Sequence, residues 1–404
     1  MRLLRLTTLY ERYLEEFYGR TPALKSAPYS IQRDALDRDA FGWADFWNEA
    51  LGPLGYEVLD VALNARPLQR AWARENLGRA AGGLSDEAIG LAQAREFRPD
   101  IVWLDVASEP LIRRIRDEVS SVRLVLGWMG SLVPDRPAWR HVDLMLSCAP
   151  ELVERLARQG LRATQLHHGY DPRVEARLER GPNRWEVSFV GQIPASEATH
   201  TTRARLLERI REETDIAIFS PDGTTRLRDA ARARLRGAVG ALGRGLLRAG
   251  LPERSLRRFP RVARAATEGP TRRSGISAGL RRAIRPPVFG LEMFQVLRDS
   301  HATLNVHADY SPRFACNMRL FEATGVGTCL VTDWKENLAE LFELDREVVA
   351  YRSLEELLEK VRWLASAPGE RDAIAAAGRK RVLREHTYAR RAERLDGLIR
   401  EAIR

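Results

Sequence analysis

Three groups of residues in this 404-residue chain have the types and spacing to do chemistry. The densest is LNVHADYSPRFACNMRLFEATGVG, residues 304–327, in which an apolar run ending at Asn305 gives way to a polar loop and then a helical pattern. Asn317 stands where a helix N-cap would, and Arg319 and Glu322 lie three apart, hence on one helix face. A carboxylate there can accept two hydroxyls of a ribose, while an arginine and free backbone amides take a diphosphate. The plain alternative is that Arg319 and Glu322 pair with each other on a helix surface. The second group is Phe189-Val190-Gly191-Gln192 with Arg203 eleven residues on: a strand, a glycine turn and a helix carrying a guanidinium, the layout that brings backbone amides to a phosphate. The third is Gly127-Trp128-Met129-Gly130-Ser131, where Trp128 offers a face for stacking a sugar and Asp105 or Asp135 could act as a base.

The elements that must position these groups alternate in kind. Strands are expected at Leu3–Leu9, Tyr56–Val61, Asp100–Leu104, Arg123–Leu126, Val142–Ser147 and Ala163–His167, with helices at Pro67–Leu77, Ser85–Glu96, Glu109–Ser120 and Pro150–Gln159. Strands spaced by helices of this size make βαβ units and a parallel sheet, with ligand-binding loops at the carboxyl ends of the strands. The polar, turn-rich stretch 167–184 reads as a linker. A second series follows at Trp185–Gly191, Asp215–Phe219, Ala302–Val306, Thr328–Thr332 and Glu347–Ala350, and the chain closes on helical segments at 353–365, 369–385 and 389–404. The expected fold class is therefore α/β: two Rossmann-like domains with C-terminal helices. We expect a first domain over residues 1–175, a second over 176–386 and a final helix over 387–404.

Charge is unevenly placed. Between Arg226 and Arg285 stand 17 arginines against Asp229, Glu253 and Glu268, which makes +14 of a total of +10, so the rest of the chain is at −4. This stretch is expected to be a basic insertion in the second domain. Read plainly it is a solvated helical surface; its functional alternative is a face for anionic lipid or a phosphorylated acceptor. Nucleic acid is disfavoured, because the stretch lacks interleaved aromatics. Cys148, Cys316 and Cys329 are few, odd in number and far apart, which argues against a disulfide framework and for a reducing cytoplasm. No apolar run is long enough to span a bilayer, the amino-terminal stretch breaks into charge before a signal core forms, and no CxxC or HExxH spacing offers a metal site.

The run Asn317-x-Arg319-x-x-Glu322-Ala323-x-Gly325-x-Gly327, followed by Thr332-Asp333, Asn337-Leu338 and Leu341-Phe342, resembles the CgeB-like, spore-maturation branch of the group 1 glycosyltransferases. Phe189-Val190-Gly191 with Arg203, and Phe289-Gly290-Leu291-Glu292-Met293 ahead of Leu304-Asn305, are similar to the same family. The resemblance implies the GT-B fold, two domains facing across a cleft. It also implies a nucleotide-sugar donor in the second domain and an unidentified acceptor (glycan, glycolipid or protein) in the first. It assigns Gly191, Gln192, Arg203, Asn305, Asn317, Arg319 and Glu322 to the donor, with the ribose on Glu322. It also makes His167-His168-Gly169-Tyr170-Asp171 similar to a hinge element between the domains, adding His168 to the catalytic candidates Asp105, Trp128 and Asp135. Where many retaining relatives carry a first glutamate eight positions before the second, this chain has Phe314, so the anomeric outcome stays open. No metal and no cofactor beyond the donor are expected, and the protein is expected in the cytoplasm of a bacterium, at most peripheral to the membrane through residues 226–285. The alternatives are a sugar-nucleotide epimerase or phosphorylase of the same fold, and a non-catalytic sugar- or membrane-binding protein.

Overall fold

The computed structural model describes residues 1–131, 137–193, 202–223 and 276–404, together with 238, 239, 241, 242 and 245. Two six-stranded parallel sheets organise it. The first contains β1 (Arg2–Thr7), β2 (Glu57–Ala62), β3 (Ile101–Leu104), β4 (Leu124–Trp128), β5 (Leu144–Ser147) and β6 (Ala163–Gln165), in the order β2-β1-β3-β4-β5-β6. The second contains β7 (Trp185–Val190), β8 (Ile216–Phe219), β9 (Ile284–Arg285), β10 (Ser300–Asn305), β11 (Cys329–Asp333) and β12 (Val349–Tyr351), in the order β12-β11-β10-β7-β8-β9. Continuous apolar runs such as Ile101-Val102-Trp103-Leu104, buried at all four positions, are what a parallel strand covered on both faces requires.

By compactness the chain divides into residues 1–184 with 289–404, and residues 185–288. The first unit holds the whole first sheet and β10, β11 and β12. Its amino-terminal half is covered by α1 (Glu11–Arg20), α2 (Tyr29–Arg38), α3 (Phe46–Leu51), α4 (Arg66–Leu77), α5 (Asp86–Phe97), α6 (Glu109–Glu118) and α7 (Pro150–Arg158). One core joins Leu4, Leu6, Val61, Val102, Leu104 and Val125 of the strands to Leu91 of α5 and Ile112 and Ile115 of α6. The chain lays β2 on one side of β1 and then crosses to place β3 on the other. The direction of winding therefore reverses between β1 and β3, which opens a crevice at their carboxyl ends.

The last helices return to the front of the chain. After α12 (Leu338–Leu341), α13 (Leu354–Ser366) and α14 (Pro368–Glu385), the backbone of residues 386–388 pairs with the linker: Tyr170 N–H donates to His386 O (2.9 Å) and Tyr388 N–H to Tyr170 O (3.0 Å). The final helix, α15 (Tyr388–Ile403), then packs Tyr388 on the rings of Phe46 and Trp47 in α3, and Tyr56 Oη donates to Asp396 (2.7 Å). The Tyr170 ring lies against Gly325, where a Cβ would come within 2.4 Å of it, so this contact admits only glycine without a shift.

The second unit, residues 185–288, has β7, β8 and β9 in parallel pairing with α8 (Arg203–Glu213) and α9 (Ala278–Ala283). Most of the basic stretch 226–285 lies outside the described residues. Its last part does not: α9, capped by Ser277 Oγ on Leu280 N–H (3.1 Å), leads straight into the edge strand β9. The expected series missed β9, a strand of two residues inside an arginine run, and left residues 10–51 without elements, where α1, α2 and α3 stand.

Candidate functional site

At the carboxyl end of the second sheet, Asn305 closes β10 opposite Thr332 of β11. Its Nδ2 donates to Thr332 Oγ1 (2.9 Å) and to Asn317 Oδ1 (3.3 Å), and Asn317 Nδ2 donates back to Asn305 Oδ1 (2.6 Å). Asn317 is therefore not the helix cap expected from its position. The helix α11 runs Arg319–Gly325 with Met318 at the N-cap position and no side-chain cap bond. The asparagine's amide is used up by Asn305 instead, which ties the loop to the strand.

Arg319 and Glu322 do meet, with a nitrogen–oxygen distance of 2.9 Å and side chains 15% and 9% exposed. Arg319 also donates to the Met293 sulfur (2.9 Å) in α10 (Gly290–Arg298). Burial pushes the Glu322 carboxyl up, and Arg319 opposes that. The pair is thus neither a solvated surface contact nor a free carboxylate: it is a charged pair in a site nearly emptied of water, where each contact to a ligand would count for more. The charge of Glu322 is felt at the hydroxyls of Tyr10, just beyond β1, and Tyr388 at the start of α15. The head of α11 and the carboxyl end of β1 therefore belong to one neighbourhood.

Beside it stands a group to which the sequence assigned no role. His307 donates both its backbone N–H (3.0 Å) and its ring Nδ1–H (2.7 Å) to Asp333 Oδ1, and Lys335 stands 3.1 Å from Asp333 Oδ2. Burial works against the Asp333 charge, yet His307 and Lys335 hold its carboxyl well below the usual range. His307 is 2% exposed, and its Nε2 is buried without a hydrogen-bond partner among the described residues. The signal was present as a histidine two residues past one strand and an aspartate ending the next, but the pattern is common to many α/β loops. The loop itself is fixed by Glu151 in the first turn of α7, which accepts from Arg313 N–H (2.9 Å), Phe314 N–H (3.1 Å) and Ser311 Oγ–H (2.8 Å).

Of the four catalytic candidates, Trp128 and His168 meet, their rings 5.3 Å apart, and Asp105 is linked to them through Arg5 and Trp43. Thr7 ends β1 and its hydroxyl donates to Asp105 Oδ2, just past β3. Burial pushes the Asp105 carboxyl up to about 6, against the Thr7 hydrogen bond and the charge of Arg5. Arg5, paired with the buried Asp60, also lies over the ring of Trp43 (5.1 Å). Trp43 packs edge-on against Trp128 (4.8 Å between centroids) and donates its indole N–H to His168 Nδ1 (3.3 Å). An indole can only donate, so the neutral His168 ring carries its proton on Nε2 and presents a donor there. Burial, with His167 and Arg391 nearby, pushes His168 down to about 3, which removes it as an acid at neutral pH. Its backbone carbonyl accepts from Arg391 Nε (2.8 Å) in α15. Trp43 is the residue that joins the set, and sequence reasoning missed it. Asp135 lies outside the described residues.

In the second unit, the turn after β7 brings its three candidates together. Arg203, the first residue of α8 and 8% exposed, donates through Nη1 to Gln192 O (2.9 Å) beneath Gly191, with the Phe189 ring 5.9 Å from its guanidinium. Gly191 N–H donates to Phe219 O (3.1 Å). Asp222, unforeseen, accepts from Ile193 N–H (2.6 Å) and Ser220 Oγ (3.1 Å) and closes the neighbouring turn after β8.

Among the described residues no group of three His, Cys, Asp or Glu side chains is placed to hold a metal ion, and no helix is long and apolar enough to cross a membrane. Residues 254–397 match the family described as glycosyl transferase-like. No curated protein matches the chain in sequence. Solved structures do match its fold. Sucrose-phosphate synthase from Thermosynechococcus elongatus gives a TM-score of 0.55 at 12% identity, over 99% of this chain and 98% of that one. An α-glucosyltransferase in complex with UDP-glucose and DNA containing an abasic site gives 0.56 at 10%, over 99% of each. HepE of Anabaena, in complex with UDP and glucose, gives 0.52 at 10%, over 99% of this chain and 100% of that one. These structures share the fold of this chain, two parallel sheets in the GT-B arrangement, and the family match over residues 254–397 does not single out the spore-maturation branch.

Proposed function

We propose that this chain transfers a hexose from a nucleotide sugar to a hydroxyl of a glycan, glycolipid or protein acceptor. The observation that carries it is the desolvated Arg319–Glu322 pair, set on the Asn305–Asn317–Thr332 network at the carboxyl ends of β10 and β11 and lying inside the matched segment. Glu322 takes the ribose hydroxyls. Arg319 balances the charge of the diphosphate as it leaves, with no metal needed for that role. Structures of the same fold hold UDP and UDP-glucose, which makes uridine the first base to try.

Calorimetry of the full chain against UDP, GDP and ADP, each with and without EDTA, tests this directly. Micromolar binding of one nucleotide, unchanged by chelation, is the expected result, and turnover of the matching nucleotide sugar should also survive EDTA. Binding of none would remove the donor site, and binding that needs added magnesium or manganese would remove its metal independence.

A further inference from the structure

We propose that the second unit binds a phosphate monoester on a hydroxylated carrier, such as a sugar phosphate, in the cavity that Arg211, Arg282 and Arg285 line at the amino-terminal end of β8. The site goes beyond the transferase reading: it is built from other residues than those given to the donor, and it stands or falls separately.

Its place follows from how the edge of the second sheet is made. Helix α8 ends at Glu213, the chain turns through Thr214 and Asp215, and β8 begins at Ile216. The edge strand β9 has two residues and pairs only with the far half of β8, Ile284 beside Ile218 and Arg285 beside Phe219. Next to the near half lies a cavity of about 420 Å³ whose wall includes Asp215, Ile216 and the three arginines. That volume is in the range of small-molecule pockets. Arg211 stands in the last turn of α8 and Arg203 in its first, about 12 Å apart along the helix axis, so the cavity and the Gly191–Gln192 turn lie at opposite ends of one helix.

The arginines of the cavity differ from others in the chain. Elsewhere exposed guanidinium groups meet carboxylates, as Arg209 meets Glu212, Arg390 meets Glu393 and Arg400 meets Asp396. Arg211, Arg282 and Arg285 make no ion pair among the described residues. Arg282 Nε donates only to Ala278 O of its own helix (3.3 Å), and the Arg285 guanidinium lies over the Trp185 ring, 4.5 Å from its centroid. Arg211 Nε is buried with no hydrogen-bond partner among the described residues. Its Nη2 reaches across to α9, where a Cβ on Gly279 would stand 3.2 Å away.

Charge decides what such a cavity holds. The carboxyl ends of α8 and α9 each offset roughly half a positive charge, and Asp215 offsets one more, so about one positive charge is left over. Like charges crowded into a concave wall are stable only with an anion between them. A phosphate monoester carries about −1.5 to −2 at neutral pH and offers three accepting oxygens, which guanidinium forks meet two at a time. Asp215 repels a bare phosphate but accepts from hydroxyls, and the cavity has room for the group that bears them. A hydroxylated carrier therefore suits it better than inorganic phosphate does.

Calorimetry of the full chain with mannose 6-phosphate, inorganic phosphate and mannose tests the site. The sugar phosphate should bind best, inorganic phosphate more weakly and mannose not at all. Arg282 and Arg285 are exposed, so their glutamine variants should melt as the wild type does. Each should bind mannose 6-phosphate about 10–100-fold more weakly, the weight of hydrogen bonds to a charged group. Arg209→Gln, which removes a paired and screened charge from α8, should leave the affinity within about twofold. Asp215→Asn removes a repelling charge and a good acceptor, so it should strengthen inorganic phosphate and narrow the advantage of the sugar phosphate. A lipid headgroup could present the same ester, so a second arm uses vesicles of phosphatidylcholine and phosphatidylinositol, with and without phosphatidylinositol 4-phosphate. Flotation that needs the 4-phosphate and is lost in Arg282→Gln upholds the site with a lipid as its source. Binding in neither arm overturns the proposal. So does binding that Arg209→Gln weakens as much as Arg282→Gln, which would be the work of a diffuse positive field. UDP affinity should not change in Arg282→Gln. A wild type that binds mannose 6-phosphate in this arginine-dependent way but no nucleotide would sink the donor reading and uphold this one.

Discussion

Glu322 is buried beside Arg319, and its negative charge is better kept there if a ligand shares it. A ribose with two adjacent hydroxyls is such a partner. Glu322→Gln keeps the shape and removes the charge, so nucleotide binding should weaken about 10–100-fold, the weight of hydrogen bonds to a charged group. Calorimetry with the preferred nucleoside diphosphate reads this, and unchanged affinity would take Glu322 out of the site. Trp43 is a different case, because its indole N–H holds His168 in one tautomer and its ring backs Trp128. Trp43→Phe keeps most of the ring and deletes the donor. His168 can then move its proton to Nδ1, and turnover should fall while the affinity for nucleotide stays; equal losses in both would mean that Trp43 acts only through packing.

Elements built from apolar runs were legible in the sequence, and those built from distant partners were not. Ile101–Leu104 and Leu144–Ser147 announce themselves because every residue must be apolar in a strand covered on both faces. The Arg319–Glu322 spacing was legible for a similar reason, since three residues on a helix fix one face. Asn317 misled because its chemistry suits a cap, and only the fold shows that Asn305, 12 residues earlier, takes its amide. Trp43 was invisible because His168, which gives it meaning, is 125 residues away. The linker shows how tightly such distant contacts bind elements together. Gly325 ends α11 under the ring of Tyr170, and an added methyl would have to displace a buried aromatic. Gly325→Ala should cost about 1–3 kcal/mol, the range for overpacking a dense core, read as a lower midpoint in urea unfolding. Pairing it with Tyr170→Leu should recover part of that loss, and a single mutant as stable as wild type would show that the contact yields freely.

At the scale of the whole molecule, a chain near neutrality elsewhere carries one strongly basic stretch. Residues 226–285 hold a net +14, and each basic side chain near an anionic bilayer contributes about 1 kcal/mol, screened by salt within a Debye length. If the acceptor is lipid-linked, the protein should float with anionic vesicles at low salt, release as salt rises and ignore neutral vesicles. Identical behaviour toward anionic and neutral vesicles at low salt would leave the stretch as a solvated part of an arginine-rich protein.

The return of α15 onto α3 has a consequence for biosynthesis. Phe46 and Trp47 find their cover in Tyr388, and Tyr56 waits for Asp396, 340 residues further along. A ribosome adds about 5–20 residues per second, so the aromatic face of α3 stays open for roughly 17–70 seconds after it emerges. The first sheet can form early, but its last layer cannot close until translation reaches the final helix. During that interval the nascent chain displays a tryptophan-rich surface to whatever binds apolar segments. A stop codon before Tyr388 would make that display permanent, so such a truncated chain should be recovered with chaperones or in aggregates even though every residue of the first sheet is present.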